Sequence, residues 1–191
     1  ECPEITAATR WFMEPVDYLT MRFSATASAT HASRLASWLT DNRHLSLLTY
    51  DEGLVALVGL DAARLAPLLR LGDVVGTVCP EAAHACALTT DALVVTGVPD
   101  LHAAALGSGA TRDYETHLAL STTSWISCPV PAKKTDVVHA IAAVPGLSND
   151  SYLIANNQET GARALEWFRT VTGGPTPASF DELTELAALS P

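Results

Sequence analysis

Two places in the sequence hold side chains that could act on a substrate. Asp100 follows the apolar run Leu93-Val94-Val95-Thr96 and the turn residues Gly97-Val98-Pro99, and small residues run from Leu101 to Leu106 behind it. That order predicts a buried strand, a tight turn and a helix with Asp100 at its N-cap. A carboxylate at a helix N-terminus stays ionised at neutral pH and can accept a proton or a hydrogen bond from a substrate hydroxyl. The same aspartate also serves as an ordinary helix cap. The second place is Ser121-Thr122-Thr123-Ser124, between the apolar segments 117–120 and 125–128. Hydroxyl and backbone N–H donors on such a turn can hold a phosphate, although a plain polar hairpin has the same composition. Of the histidines, only His102 lies near Asp100. Two residues apart on a helix they face different ways, which suits His102 to packing.

The elements that must position these residues interleave helix and strand. The stretch Pro3 to Ala25 reads as helical with a break at Pro15. Asp17 is placed to cap a short helix that carries Leu19 and Phe23 on one face. Ser33 to Asn42 has helical spacing in Leu35, Trp38 and Leu39, and Asp51 to Val58 forms a third helix ending at Gly59. A strand over 73–78, a helix opened by Pro80 through Ala87, and the strand before Asp100 follow. Two strands flank the hydroxyl turn, and residues 137–144 suit another strand. Asn156 to Arg169 reads as a helix, and Gly173-Gly174-Pro175 as a hinge. Ser179 and Glu182 make a capping box for a last helix. The class is α/β or mixed α+β. No Gly-x-Gly-x-x-Gly or Walker A sequence occurs, so the common nucleotide folds are not indicated.

Composition narrows the partners. The 191 residues carry 11 basic and 21 acidic side chains, a net charge of −10, which argues against nucleic acid or an anionic membrane. No run approaches the ~18 apolar residues of a membrane span. The N-terminus reads as neither a signal peptide nor a native start, so the chain is expected to be cut from something longer. Cys2, Cys79, Cys86 and Cys128 form no Cys-x-x-Cys pair, so no metal ligands are assigned and free thiols in a reducing cytoplasm are expected. Among protein partners, only self-association as a homodimer is admitted.

Four segments in order resemble the FGGY-family carbohydrate kinases. Gly97-Val98-Pro99-Asp100-Leu101-His102-Ala103-Ala104-Ala105-Leu106-Gly107 looks like that family's sugar-site segment, Gly-x-x-Asp-x-x-Ala-Ala-x-x-Gly. Residues 118–125 look like its Gly-Thr-Ser phosphate turn followed by Trp. Residues 156–169 look like its helix ending Leu-Glu-Trp-Leu-Arg, and 11–19 like its Pro-x-Asp-Tyr-Leu segment. Within the family the resemblance is closest to the xylulokinase-like pentulose kinases. It implies an actin-like, ribonuclease-H-like ATPase fold, present in part: residues 1–112 as the later part of the sugar-binding N-terminal domain and 113–191 as the start of the nucleotide-binding C-terminal domain. It implies ATP-dependent phosphorylation of a pentulose such as xylulose, or of a related polyol, with Mg2+.

In this reading Asp100 is the catalytic base, with Leu101 and His102 beside it in the sugar site. Ser121, Thr122, Thr123 and Ala162 meet the nucleotide phosphates. Ser121 and Ala162 stand where the family has glycine, so a crowded or strained phosphate turn is expected. Leu101 stands where many members carry a polar sugar contact. The family's first phosphate loop and its adenine-binding Gly-rich segment are missing, so this chain alone is expected to be inactive. The alternative reading is a degenerate or truncated non-catalytic module of the same fold that at most binds a sugar.

Overall fold

A computed structural model of the chain describes residues 2–172 and 178–190. Helices α1 (Pro3–Ala8), α2 (Pro15–Ser24) and α4 (Pro80–Cys86) each begin on a proline, whose fixed φ and missing N–H suit a first helical position. Helix α3 (Glu52–Leu57) is capped by Asp51, whose carboxylate accepts from the Leu54 N–H at 2.9 Å. Strands β1 (Val74–Thr77) and β2 (Leu93–Val95) form a two-stranded antiparallel sheet packed against α2, which also contacts α4. Helix α5 (Asp100–Ser108) follows and ends at Gly109, φ 82°.

The second sheet is four-stranded and antiparallel, in the order β3 (His117–Leu120), β4 (Ser124–Val130), β6 (Tyr152–Gln158), β5 (Ala142–Pro145). Trp125 lies opposite Asn157 and Ala119, and Ala155 lies opposite Ser127 and Ala142. These residues share one face of the sheet. Helices α6 (Arg163–Thr172) and α7 (Phe180–Ala188) close the chain, α7 with the expected Ser179–Glu182 capping box.

The apolar interior is divided into small clusters. Ala29, Ala66 and Leu68 form one, Leu39, Val55 and Leu65 a second, and Leu45, Val130 and Tyr152 a third that joins an early loop to the second sheet. Many large apolar residues stay exposed, among them Leu120, Leu57, Trp167 and Leu189, and neither α6 nor α7 buries a residue.

Several expectations are corrected. The strand before Asp100 is not buried: Leu93 is 65% and Val95 50% exposed, because β2 pairs with β1 alone. Asn156 to Gln158 are strand rather than helix, since their backbone pairs with Ser124 to Ile126. Tertiary pairing overrides local propensity there. Ser33 to Asn42 yields only a 3₁₀ turn, Ser33–Ser37, stopped by Trp38 in the left-handed conformation. The strand expected over 137–144 is confined to β5, after a turn at Ala140. The hinge at Gly173-Gly174-Pro175 lies outside the described residues.

Asp17 does not cap a helix. It is the third residue of α2, 2% exposed, and accepts a hydrogen bond from Ser33 Oγ at 3.0 Å. Ser33 and Thr30 bond each other reciprocally, backbone N–H to hydroxyl, at 2.9 Å each. This network ties α2 to the 3₁₀ turn. Burial pushes the Asp17 carboxyl up to about 6, with the Ser33 hydrogen bond and the nearby Arg34 charge only partly opposing it.

A buried acid with a raised pKa binds its proton more tightly folded than unfolded, so the fold loses stability as pH rises through about 4 to 6 and regains it on acidification. Urea unfolding should therefore show a gain on the order of 2 kcal/mol from this group between pH about 7 and about 4. Asp17→Asn keeps an acceptor for Ser33 and should lack that gain; identical pH profiles for the two proteins would contradict it.

Candidate functional site

Pro99 takes the N-cap position and Asp100 is the first residue of α5, one place inside the position expected from sequence. Its Oδ1 accepts from the Leu101 N–H at 2.7 Å, which uses one of the orphan donors of the first turn. The chain reaches this helix through Gly97. A Cβ there would strike Val16 Cγ2 of α2, so a larger residue would require the Val16 side chain to move.

Helix α5 is fastened to the second sheet by His102. That residue is fully buried, and its Nε2 lies 2.7 Å from the carbonyl oxygen of Pro145 at the end of β5. Burial pushes the imidazole pKa down, which keeps the ring neutral and makes Nε2–H the donor to that carbonyl. Its Nδ1 has no partner among the described residues. The expectation that His102 contacts a sugar is corrected here: it braces the helix from behind.

Beside the brace a cavity of about 330 Å³ opens between the 3₁₀ turn, α5 and the second sheet. Asp100 and Leu101 line it from α5, Leu35 and Trp38 from the 3₁₀ turn, and Trp125 and Asn157 from the sheet. The indole of Trp125 is packed edge-on against the ring of His117, with centroids 5.0 Å apart. A larger cavity of about 520 Å³, between α2 and α4, joins neither sheet face nor hairpin to Asp100.

The hairpin expected at 117–128 forms, with Leu120 opposite Ser124. Ser121, Thr122 and Thr123 make its turn. Their hydroxyls, and that of Ser124, have no side-chain hydrogen bonds among the described residues. The turn rests on the start of α6: Gly161 N–H donates to Thr122 O at 2.9 Å and Ala162 N–H to Ser121 O at 2.7 Å. Trp125, directly after the turn, reaches the Asp100 cavity; Ser121, Thr122 and Thr123 are not among its lining residues.

The expected strain at Ser121 is absent, since its φ is not positive, and Ala162 is exposed and accommodated. The position that demands glycine is Gly161, where a Cβ would fall against Ser124 Oγ and 2.6 Å from the Thr123 carbonyl carbon and oxygen.

The unengaged donors of the turn are the right chemistry for an anion such as a nucleotide phosphate. Among the described residues no three His, Cys, Asp or Glu side chains gather to hold a metal ion. A magnesium ion here would rest chiefly on phosphate oxygens and water, as it commonly does. Sequence reasoning missed Trp38, Asn156 and Asn157, because the chain contacts that bring them to Asp100 are all long-range.

No family model matches the chain. The xylulose kinase of Streptomyces rubiginosus is 31% identical over 150 residues, 78% of this chain and 30% of that protein. Among solved structures, the xylulose kinase of Rhodospirillum rubrum superimposes with a TM-score of 0.79 at 24% identity, over 92% of this chain and 35% of that one. The gluconate kinase of Lactobacillus acidophilus gives 0.79 at 17% identity with the same coverage. The chain thus spans about a third of the length of the relatives it matches. Its fold is the actin-like ATPase fold of the FGGY carbohydrate kinases. By sequence and fold together, the chain corresponds to a segment of that family, and its sequence relatives within it are xylulose kinases.

The tight seat of the hydroxyl turn on α6 carries a prediction. Gly161→Ala should cost about 1–3 kcal/mol of stability through overpacking. Ala162→Gly, at an exposed site, should cost no more than about 1 kcal/mol. Chemical denaturation of both variants checks it, and equal losses would contradict the assignment of the close contact to Gly161.

Proposed function

We propose that this chain is part of an ATP-dependent sugar kinase that phosphorylates a pentulose such as xylulose, or a related polyol. The observation that carries the reading is the shared cavity of Asp100 and Trp125, the latter directly following the hydroxyl turn, in the fold of the carbohydrate kinases. Residues 1–112 are read as the later part of the sugar-binding domain and 113–191 as the start of the nucleotide-binding domain, with the His102–Pro145 contact crossing between them.

Phosphoryl transfer asks the protein mainly to position groups and to stabilise charge. Asp100 orients the attacking hydroxyl and takes its proton as the new oxygen–phosphorus bond forms and the bond from the γ-phosphorus to the bridging oxygen breaks, releasing ADP. The carboxylate needs no unusual basicity for this, because the proton leaves late. The turn hydroxyls and N–H groups meet phosphate oxygens and hold them against the acceptor. When bound, Mg2+ would neutralise phosphate charge. A cytoplasmic location belongs to the same reading and suits the four free cysteines.

The test is ADP release in a coupled assay with ATP and D-xylulose. For the protein carrying this segment, Asp100→Asn should lower turnover on the order of 10²–10⁴-fold, with ATP affinity by calorimetry unchanged. Turnover that survives Asp100→Asn would overturn the base assignment. Saturable sugar binding with no ADP release would favour the non-catalytic module.

A further inference from the structure

The cavity beside Asp100 contains a tryptophan with no structural reason to be there. Trp38 is 62% exposed, yet its backbone is left-handed, φ 54° and ψ 26°. That conformation costs an L-residue roughly 1–2 kcal/mol, and little burial of the indole offsets it. The backbone behind it is held firmly. Asp17 anchors Ser33 at one end of the 3₁₀ turn, Arg34 Nη1 donates to the Phe12 carbonyl at 3.2 Å, and Ser37 Oγ donates to the Arg34 carbonyl at 2.9 Å. The strain therefore fixes where the indole is presented, at a cavity it shares with Trp125.

The polar groups of the cavity are uncharged apart from Asp100. Asp100 keeps a carboxylate oxygen beyond the one bonded to Leu101 N–H. Asn156 uses its amide N–H groups on the carbonyls of His139 and Ala140, at 2.9 and 3.1 Å. Asn157 donates to Glu159 Oε1 at 2.6 Å. In each case the amide oxygen is left over. These oxygens accept, while the indole Nε1–H groups of Trp38 and Trp125, unpartnered among the described residues, donate, and hydroxyl groups serve both. Neither Lys, Arg nor His lines the cavity. Arg34 and Lys133 line the adjoining cavity, where Arg34 Nη1 donates to the Phe12 carbonyl and Lys133 to Asn42 Oδ1. An anionic ligand would meet the Asp100 carboxylate with no cation at hand.

We propose that Trp38 is a sugar-binding residue, which with Trp125 offers apolar ring faces to a neutral ketose or polyol whose hydroxyls meet Asp100 and Asn157. Apolar, aromatic walls with a few placed polar groups are the usual make-up of a small-molecule site. The assignment deepens the kinase reading and rests on it. It also sets a specificity: neutral sugars enter, and aldonates and sugar phosphates do not.

The test is calorimetric titration of the 191-residue chain with D-xylulose, and separately with D-gluconate. Trp38→Ala should weaken D-xylulose binding at least about tenfold, a change of about 1.4 kcal/mol, and Trp38→Phe should restore most of it. D-gluconate should give no saturable heat. Far-UV circular dichroism should be unchanged, because the side chain is exposed. Wild-type affinity in Trp38→Ala, with binding lost in Asp100→Ala, overturns the role of Trp38 and leaves the kinase reading standing. Gluconate binding equal to that of xylulose overturns the specificity. An absence of binding by wild-type chain to D-xylulose overturns the sugar site itself, and with it both readings of this cavity.

Discussion

The hydrogen bond from His102 to the Pro145 carbonyl is the constraint on which the site depends. Helix α5 carries Asp100 as its first residue and His102 as its third, so whatever fixes His102 also fixes Asp100. The helix has little else to grip with: its other buried residue is Ala105. Two polar groups, an imidazole and the backbone carbonyl at the end of an edge strand, are both removed from water here and satisfy each other at 2.7 Å. Loss of either partner leaves the other buried and unmet, which costs about 1–3 kcal/mol. The bond also spans the two halves of the chain. It sets the carboxylate beside the sheet face that carries Trp125.

A second anchor works from the opposite side. The Asp17–Ser33–Thr30 network holds the 3₁₀ turn to α2, and that turn places Leu35 and Trp38 on the cavity. The site is thus assembled from three separate stretches of chain: α5 held by the His102 bond, the 3₁₀ turn by the Asp17–Ser33–Thr30 network, and the sheet by its strand pairing. The three apolar clusters are small, and large residues on α6, α7, β2 and β3 remain exposed.

What could be read from sequence follows from what is local. Prolines at the start of α1, α2 and α4, the caps at Asp51 and Ser179, and the hairpin around Ser121–Ser124 depend on neighbours within a few residues, and each forms as its residues dictate. Asp100 was legible as a residue at a helix start for the same reason. The spacing of His102 from Asp100 suits it to packing, which its burial matches, but its partner Pro145 lies 43 residues away and no local pattern announces it. Asn156 to Gln158 took strand form through pairing with β4, which no local pattern announces. Concern over glycine fell on Ser121 and Ala162, whereas the close contact is at Gly161, one residue earlier on the same approach. Trp38 carried only the signal of an aromatic at the end of a short helical pattern.

The most direct test of the brace is nuclear magnetic resonance of the chain with 15N-labelled histidine. The imidazole of His102 should hold a slowly exchanging proton on Nε2 and remain neutral as pH is lowered from about 8 to below the ordinary histidine pKa of about 6.5. A His102 ring that titrates at or above that ordinary value, with a proton that exchanges as fast as those of the exposed histidines, would contradict a buried bond to Pro145 and the placement of Asp100 that rests on it.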